Sequence, residues 1–134
     1  MEDCHFVIKC WYQNRKGPSF VVQLGEMGDN FAGIRQDEAK GSIAAIGERG
    51  AIDHSIASHT FTVPRDLVIS WLKELQDAQI PAVPAITGGF DGANYHVSIR
   101  NGESQSHFSW WLDCPEQWRQ LGAFWQRVVS LSGT

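Results

Sequence analysis

Long apolar runs are missing from this 134-residue chain. The longest are only a few residues, so no segment is expected to span a membrane as a helix. Clustered lysine and arginine are missing too. Eleven basic side chains stand against fifteen acidic ones, a net charge of −4. Nucleic acid, which wants a concentrated basic surface, is therefore not an expected partner. Cysteine is scarce: three residues, at 4, 10 and 114, an odd number without close-pair spacing. Such usage reads as reduced thiols, not a disulfide framework. If Cys4 and Cys10 share one strand, about 20 Å separates them, far beyond the roughly 7 Å that a disulfide bridges. The opening residues Met1-Glu2-Asp3-Cys4-His5 are acidic and polar, with no basic region before an apolar stretch. A cytoplasmic chain without a secretory leader is the expectation. Gly88 to Gly92 lacks the spacing of a dinucleotide or phosphate loop, and no Lys-Ser or Lys-Thr pair follows it, so no cofactor is expected.

What is present is an ordinary globular composition, 43% hydrophobic and 19% charged. At this length one domain, residues 1–134, can bury roughly two-thirds of its unfolded surface without staples. No repeat, low-complexity tract or linker divides it. Six Trp and seven Phe are many for the size. They supply buried area, and they also anchor binding surfaces.

Periodicity predicts an α+β fold, an antiparallel sheet of about five to six strands packed by two amphipathic helices. His5 to Gln13 alternates, with Phe6, Ile8, Cys10 and Tyr12 on one face and Val7, Lys9 and Trp11 on the other. Asn14 to Pro18 is a turn by composition, and Ser19 to Leu24 returns. From Gly25 to Ser58 the signals weaken. Phe31 to Ile34 and Ile43 to Ile46 read as short edge strands or turns of helix between Gly-rich loops. His59 to Val63 reads as a strand. Pro64 opens a helix whose stripe is Leu67, Val68, Trp71, Leu72 and Leu75, ending near Ala78. Ile80 to Ile86 then crosses back as extended chain. Tyr95, Val97 and Ile99 alternate with polar residues up to Asn101-Gly102, a strong hairpin signal. A two-residue turn there sets Tyr95 opposite Phe108, and a four-residue turn sets it opposite Trp110. Either register puts Tyr95, Val97, Ile99, Phe108 and Trp110 on one face. Asp113, Pro115 and Glu116 spell a capping box. The stripe Trp118, Leu121, Gly122, Trp125, Val128 and Val129 follows, with Gly122 expected to let the helix approach the sheet closely.

Chemistry-bearing constellations are sparse. His96 and His107 fall on neighbouring strands and could supply half of a zinc or copper site. No ligand spacing completes it, so two sheet histidines is the plainer reading, and no metal is expected. Cys114 near a helix start could be an activated thiol, but Pro115 follows it and nothing ties it to a histidine. No catalytic residue is assigned, and the chain is not expected to be an enzyme. Trp110-Trp111 is distinctive because adjacent strand residues face opposite ways. One of the two must leave the core, and Trp111 is either covered by a loop or exposed as an anchor. Trp11 poses the same question on the first strand. Charge is uneven as well. Residues 25–58 hold Glu26, Asp29, Asp37, Glu38, Glu48 and Asp53 against three bases, and so supply −3 of the net charge. Acidity of this kind aids solubility and also allows a basic partner.

Three stretches are familiar together: Asp91-Gly92-Ala93-Asn94-Tyr95, Phe108-Ser109-Trp110-Trp111, and Pro115-Glu116-Gln117-Trp118-Arg119-Gln120-Leu121. They resemble a pattern in small bacterial proteins, some of which look like immunity proteins encoded beside polymorphic or secreted antibacterial toxins. The resemblance covers the C-terminal third and carries no diagnostic functional residue. It implies a small cytosolic protein that binds and neutralises a cognate toxin, with a basic, nuclease-like toxin fitting the acidic middle. On that reading the partner-binding residues are Glu26, Asp29, Asp37, Glu38, Glu48, Asp53 and Trp111. Two other expectations stand beside it. One is a small metal-binding or hydrolytic enzyme using His96 and His107. The other is a self-associating structural module, so that the chain is a monomer or a homodimer.

Overall fold

The computed structural model describes residues 5–14, 19–38, 56–83 and 93–133. Six antiparallel strands form one sheet: β1 (Phe6–Asn14), β2 (Phe20–Met27), β3 (Asn30–Glu38), β4 (Ile56–Pro64), β5 (Ala93–Asn101) and β6 (Ser104–Trp111). Their order across the sheet is β4-β3-β2-β1-β5-β6. Helix α1 (Arg65–Asp77) follows β4, and helix α2 (Arg119–Leu131) follows β6 after a short 3₁₀ turn (Glu116–Trp118). The expected α+β class and strand count hold. None of the described helices is long and apolar enough to cross a membrane.

Alternation decides which face is buried. In β1, Ile8 and Cys10 are inaccessible while Lys9 between them is exposed. Val22 and Leu24, Phe31, Val63, Val97 and Trp110 extend the same face across the sheet. Both helices close over it with Val68 and Leu72 from α1 and Leu121, Phe124, Trp125 and Val128 from α2. Each such large side chain contributes about 1.5–3 kcal/mol on leaving water. Two indoles add polar anchors. Trp125 Nε1 donates to the His96 carbonyl at 3.1 Å, and Trp118 Nε1 donates to the Pro81 carbonyl at 2.7 Å. The first bond fixes α2 to β5; the second holds the chain leaving α1 against the start of α2.

The N-terminal half is more regular than its glycines suggest. Strand β2 continues beyond Leu24 to Met27, and a two-residue turn, Gly28-Asp29, leads straight into β3. Phe31 to Ile34 is thus part of an interior nine-residue strand, not a short edge piece. Gly33 is required there. A Cβ on it would lie 2.4 Å from the Phe61 ring and 2.9 Å from Leu24 Cδ2, because Phe61 of β4 lies across the glycine directly opposite. Strand β4 begins at Ile56, three residues before the expected His59. Ile43 to Ile46, Asn14 to Pro18 beyond Asn14, and the Gly88–Gly92 turn lie outside the described residues.

The C-terminal unit takes the second of the two expected hairpin registers and departs from expectation in the loop residues and at the helix start. Asn101 pairs with Ser104, so the hairpin loop is Gly102-Glu103 and not Asn101-Gly102. Gly102 takes φ +64° and Glu103 does not go positive, the φ signs of a II′ turn with glycine first. This sets Tyr95 opposite Trp110. At the far end Leu112 sits at φ 58°, a left-handed conformation that costs a non-glycine residue about 1–2 kcal/mol. It turns the chain out of β6 toward the helix. The helix starts at Arg119, later than Asp113, and no side-chain hydrogen bond caps it among the described residues. Gly122 also serves a different neighbour than expected. Its missing Cβ would meet Cys114 Sγ at 2.9 Å, so it admits the segment entering the helix, not the sheet.

Candidate functional site

Because the helices occupy one face, the other residue parity of every strand looks the opposite way. On β1 that parity is Val7, Lys9, Trp11 and Gln13; on β5, Asn94, His96, Ser98 and Arg100; on β6, Gln105, His107, Ser109 and Trp111. Pairing of β1 with β5 sets Trp11 directly beside His96. His96 in turn lies opposite Ser109, and His107 opposite Ser98, so the two histidines are diagonal neighbours on adjacent strands.

These side chains form one cluster. The Trp11 and His96 rings are parallel within 1° with centroids 4.6 Å apart. His107 stacks against both, at 5.3 Å from Trp11 and 5.4 Å from His96. Lys9 Nζ lies 5.0 Å from the Trp11 ring centroid, a cation–π contact. His96 Nδ1 and His107 Nε2 are 3.2 Å apart, close enough to share one proton in a hydrogen bond. Burial, which disfavours the charged imidazolium, and then repulsion from the neighbouring His107 both lower the pKa of His96. His96 Nε2 and Trp111 Nε1 are buried without a hydrogen-bond partner among the described residues. Trp111 is half-buried at the end of the same face.

Charge is divided between the two sides. Among the described strand side chains with this parity, the ionisable groups are Lys9, Arg100, His96 and His107. The carboxylates of Asp66, Glu74 and Asp77 are on α1, and Glu74 pairs with Arg127 of α2 at 2.9 Å. Among the described side chains, the face opposite the helices therefore carries positive charge in a chain that is negative as a whole.

The acids singled out from the sequence do not gather into one patch among the described residues. Glu26 is committed within the fold: Oε1 accepts from the Phe6 N–H at 3.0 Å, Oε2 pairs with Arg65, and its side chain is 8% exposed. Burial opposes its ionisation, but the Phe6 N–H and Arg65 outweigh this and lower its pKa below the ordinary carboxyl value. Asp29 is exposed in the Gly28-Asp29 turn, and its carbonyl accepts from the Arg65 N–H at 3.0 Å. Asp37 lies at the other end of β3, about 25 Å away by strand rise, and pairs with Arg35 at 2.8 Å. Arg35 also donates to Ser132 Oγ at 2.9 Å and lies 4.3 Å from the Phe20 ring centroid, tying β3 to the end of α2. Glu38 ends β3, its side chain outside the described set; Glu48 and Asp53 are outside it entirely. Of the seven, among the described side chains, Trp111 belongs to the aromatic face.

Cys114 does not sit in an activating environment among the described residues. It lines a cavity of about 390 Å³ with Tyr95, Trp110, Asp113 and Arg119. Burial raises its pKa, opposed by a Gly122 backbone contact, and Sγ donates to the Trp118 carbonyl at 3.2 Å. Cys10 is fully buried and burial pushes its thiol far up. A second cavity, about 300 Å³, lies between α1 and the β5–β6 hairpin and is lined mainly by Phe6, Leu72, Leu75, Ile99, Phe108 and Leu121. None of its described lining residues is charged. No family model, curated protein or solved structure matches the chain, so its geometry and chemistry carry the functional reading.

Proposed function

We propose that this is a non-catalytic binding protein that takes a protein partner on the sheet face opposite its helices. The supporting observation is the cluster of Trp11, His96, His107 and Trp111 on a face where solvated sheets ordinarily carry polar side chains. Tryptophan is enriched among the few residues that carry most of an interface's energy, and half-buried rings held by neighbours lose little entropy on binding. Following the C-terminal resemblance, the partner is a cognate antibacterial toxin, and the chain acts as its immunity-type inhibitor. Lys9 and Arg100 make an apolar-to-acidic partner surface the better fit for this face. A basic, nuclease-like surface would instead meet the carboxylates of α1.

Co-purification with the product of the adjacent gene, followed by titration of the pair, tests the reading. Trp11→Ala and Trp111→Ala should each weaken the complex by at least about tenfold, the loss of one anchor residue. Asp66→Lys and Asp77→Lys on α1 should leave it nearly unchanged. The opposite pattern would move the interface to the helical side and end this assignment.

A further inference from the structure

We propose that His96 and His107 form a two-imidazole site for a late first-row divalent cation, with Cu²⁺ preferred and Ni²⁺ and Zn²⁺ weaker. This inference stands apart from the toxin-binding reading and does not depend on it. Its basis is the 3.2 Å separation of His96 Nδ1 and His107 Nε2. Two imidazole nitrogens each about 2.05 Å from one metal lie about 2.9 Å apart at the right angle of a tetragonal Cu²⁺ or Ni²⁺ site and about 3.3 Å apart in a tetrahedral one. The pair thus already has the span that shared coordination needs.

Two features hold that span. Both residues sit inside a continuous strand ladder, with His96 opposite Ser109 and His107 opposite Ser98, so the backbone sets their spacing without a loop. The His96 ring is also fixed between its strand and the parallel Trp11 ring 4.6 Å away. In the free chain one imidazole N–H points at the other ring's lone pair. For both nitrogens to bind metal, that proton must sit elsewhere. His107 is exposed and can carry it on Nδ1, leaving Nε2 free, while His96 keeps its own proton on Nε2. Only a tautomer shift is needed, and no proton leaves the protein at a pH where both rings are neutral. The remaining coordination positions are left for water or a donor from a partner. Lys9 contributes positive charge on the same face, so the site works through nitrogen coordination and not through local charge. Nitrogen ligands favour Cu²⁺ over Ni²⁺ and Zn²⁺, which sets the expected order.

The test uses the untagged full chain, stripped with a chelator and titrated at neutral pH with Cu²⁺, Ni²⁺ and Zn²⁺ by calorimetry. Tryptophan fluorescence is read in parallel, since Cu²⁺ bound beside His96 should quench Trp11. The expected result is one ion per chain in the order Cu²⁺ tightest. His96→Ala and His107→Ala should each weaken binding at least about tenfold, as loss of a ligand costs no less than loss of a ligand's supporting contact. His59→Gln, whose Nε2 instead contacts the Ser132 carbonyl, should bind as the parent does. Trp11→Phe, which keeps an aromatic ring against His96, should show reduced quenching on Cu²⁺ addition. Should His96→Ala fail to fold, His107→Gln at the exposed position decides the matter alone. Absence of binding, or Cu²⁺ affinity unchanged in the His107 variants, overturns the proposal.

Discussion

Gly33→Ala is the sharpest probe of how the sheet is assembled. The added methyl would stand 2.4 and 2.5 Å from two Phe61 ring carbons and 2.9 Å from Leu24 Cδ2. Ordinary carbon contacts lie near 3.5–4.0 Å, so the ring must withdraw by about 1 Å or swing off the sheet. Leu24 is wholly buried and cannot yield, whereas Phe61 is only half-buried and can. Displacing a partly buried ring places the cost at about 1–2 kcal/mol, the lower part of the overpacking range. For a domain of this size that lowers the melting temperature by about 3–6 °C. Urea unfolding followed by tryptophan fluorescence measures it. The decisive comparison is the double-mutant cycle. With Phe61→Ala in place, only the 2.9 Å contact with Leu24 Cδ2 remains, and Gly33→Ala should cost less than it does beside the ring. A coupling of about 1 kcal/mol between the two sites is expected. If Gly33→Ala costs the same with and without the Phe61 ring, the β3–β4 register or the ring placement is wrong.

Three further outcomes follow from the same contacts. Glu26 has a lowered pKa in the fold, so the unfolded chain binds its proton more readily. Its stabilisation is full above the ordinary value of 4.5 and is lost as pH falls through the lower folded value. Glu26→Gln should flatten the acid limb of stability against pH in denaturant titrations, and an unchanged limb would contradict the assignment. Trp125→Phe removes the indole donor to the His96 carbonyl and leaves a small void in a 4% exposed site. It should cost about 1–3 kcal/mol by urea unfolding, and near-neutrality would deny the bond its role. Leu112→Asn relieves a left-handed leucine that is 43% exposed. A gain of about 0.5–1 kcal/mol is expected, since asparagine tolerates this conformation, and a loss would show that the leucine side chain matters more than its backbone.

The site was partly legible. Alternation in Val7-Lys9-Trp11 and in His96, His107 and Trp111 already put each residue on the polar parity of its strand. The cluster itself was not legible, because nothing local says that β1 pairs with β5. That pairing spans more than eighty residues of chain and makes Trp11 the neighbour of His96. The acidic residues show the converse. As a list from 25 to 58 they look like one patch, yet the length of β3 separates Asp37 from Asp29 in the turn before it, and Glu26 on β2 turns inward onto Phe6 and Arg65. Proximity in sequence becomes distance once residues extend along a strand.

Local patterning alone determined the α+β class, the buried face of each well-marked strand and the apolar stripes of both helices, since a period of two or of 3.6 follows from backbone geometry. It also limited the β5–β6 hairpin to registers that share one core face. Tertiary packing decided the rest. It chose the Gly102-Glu103 loop, delayed α2 until Arg119, and gave the weak glycine-marked stretch a regular interior strand, because Phe61 covers Gly33 from across the sheet. Among the described residues it also left one face without helices and placed two imidazole nitrogens 3.2 Å apart on it. Such a distance depends on strand order and register, and those are set by which apolar faces can be covered together.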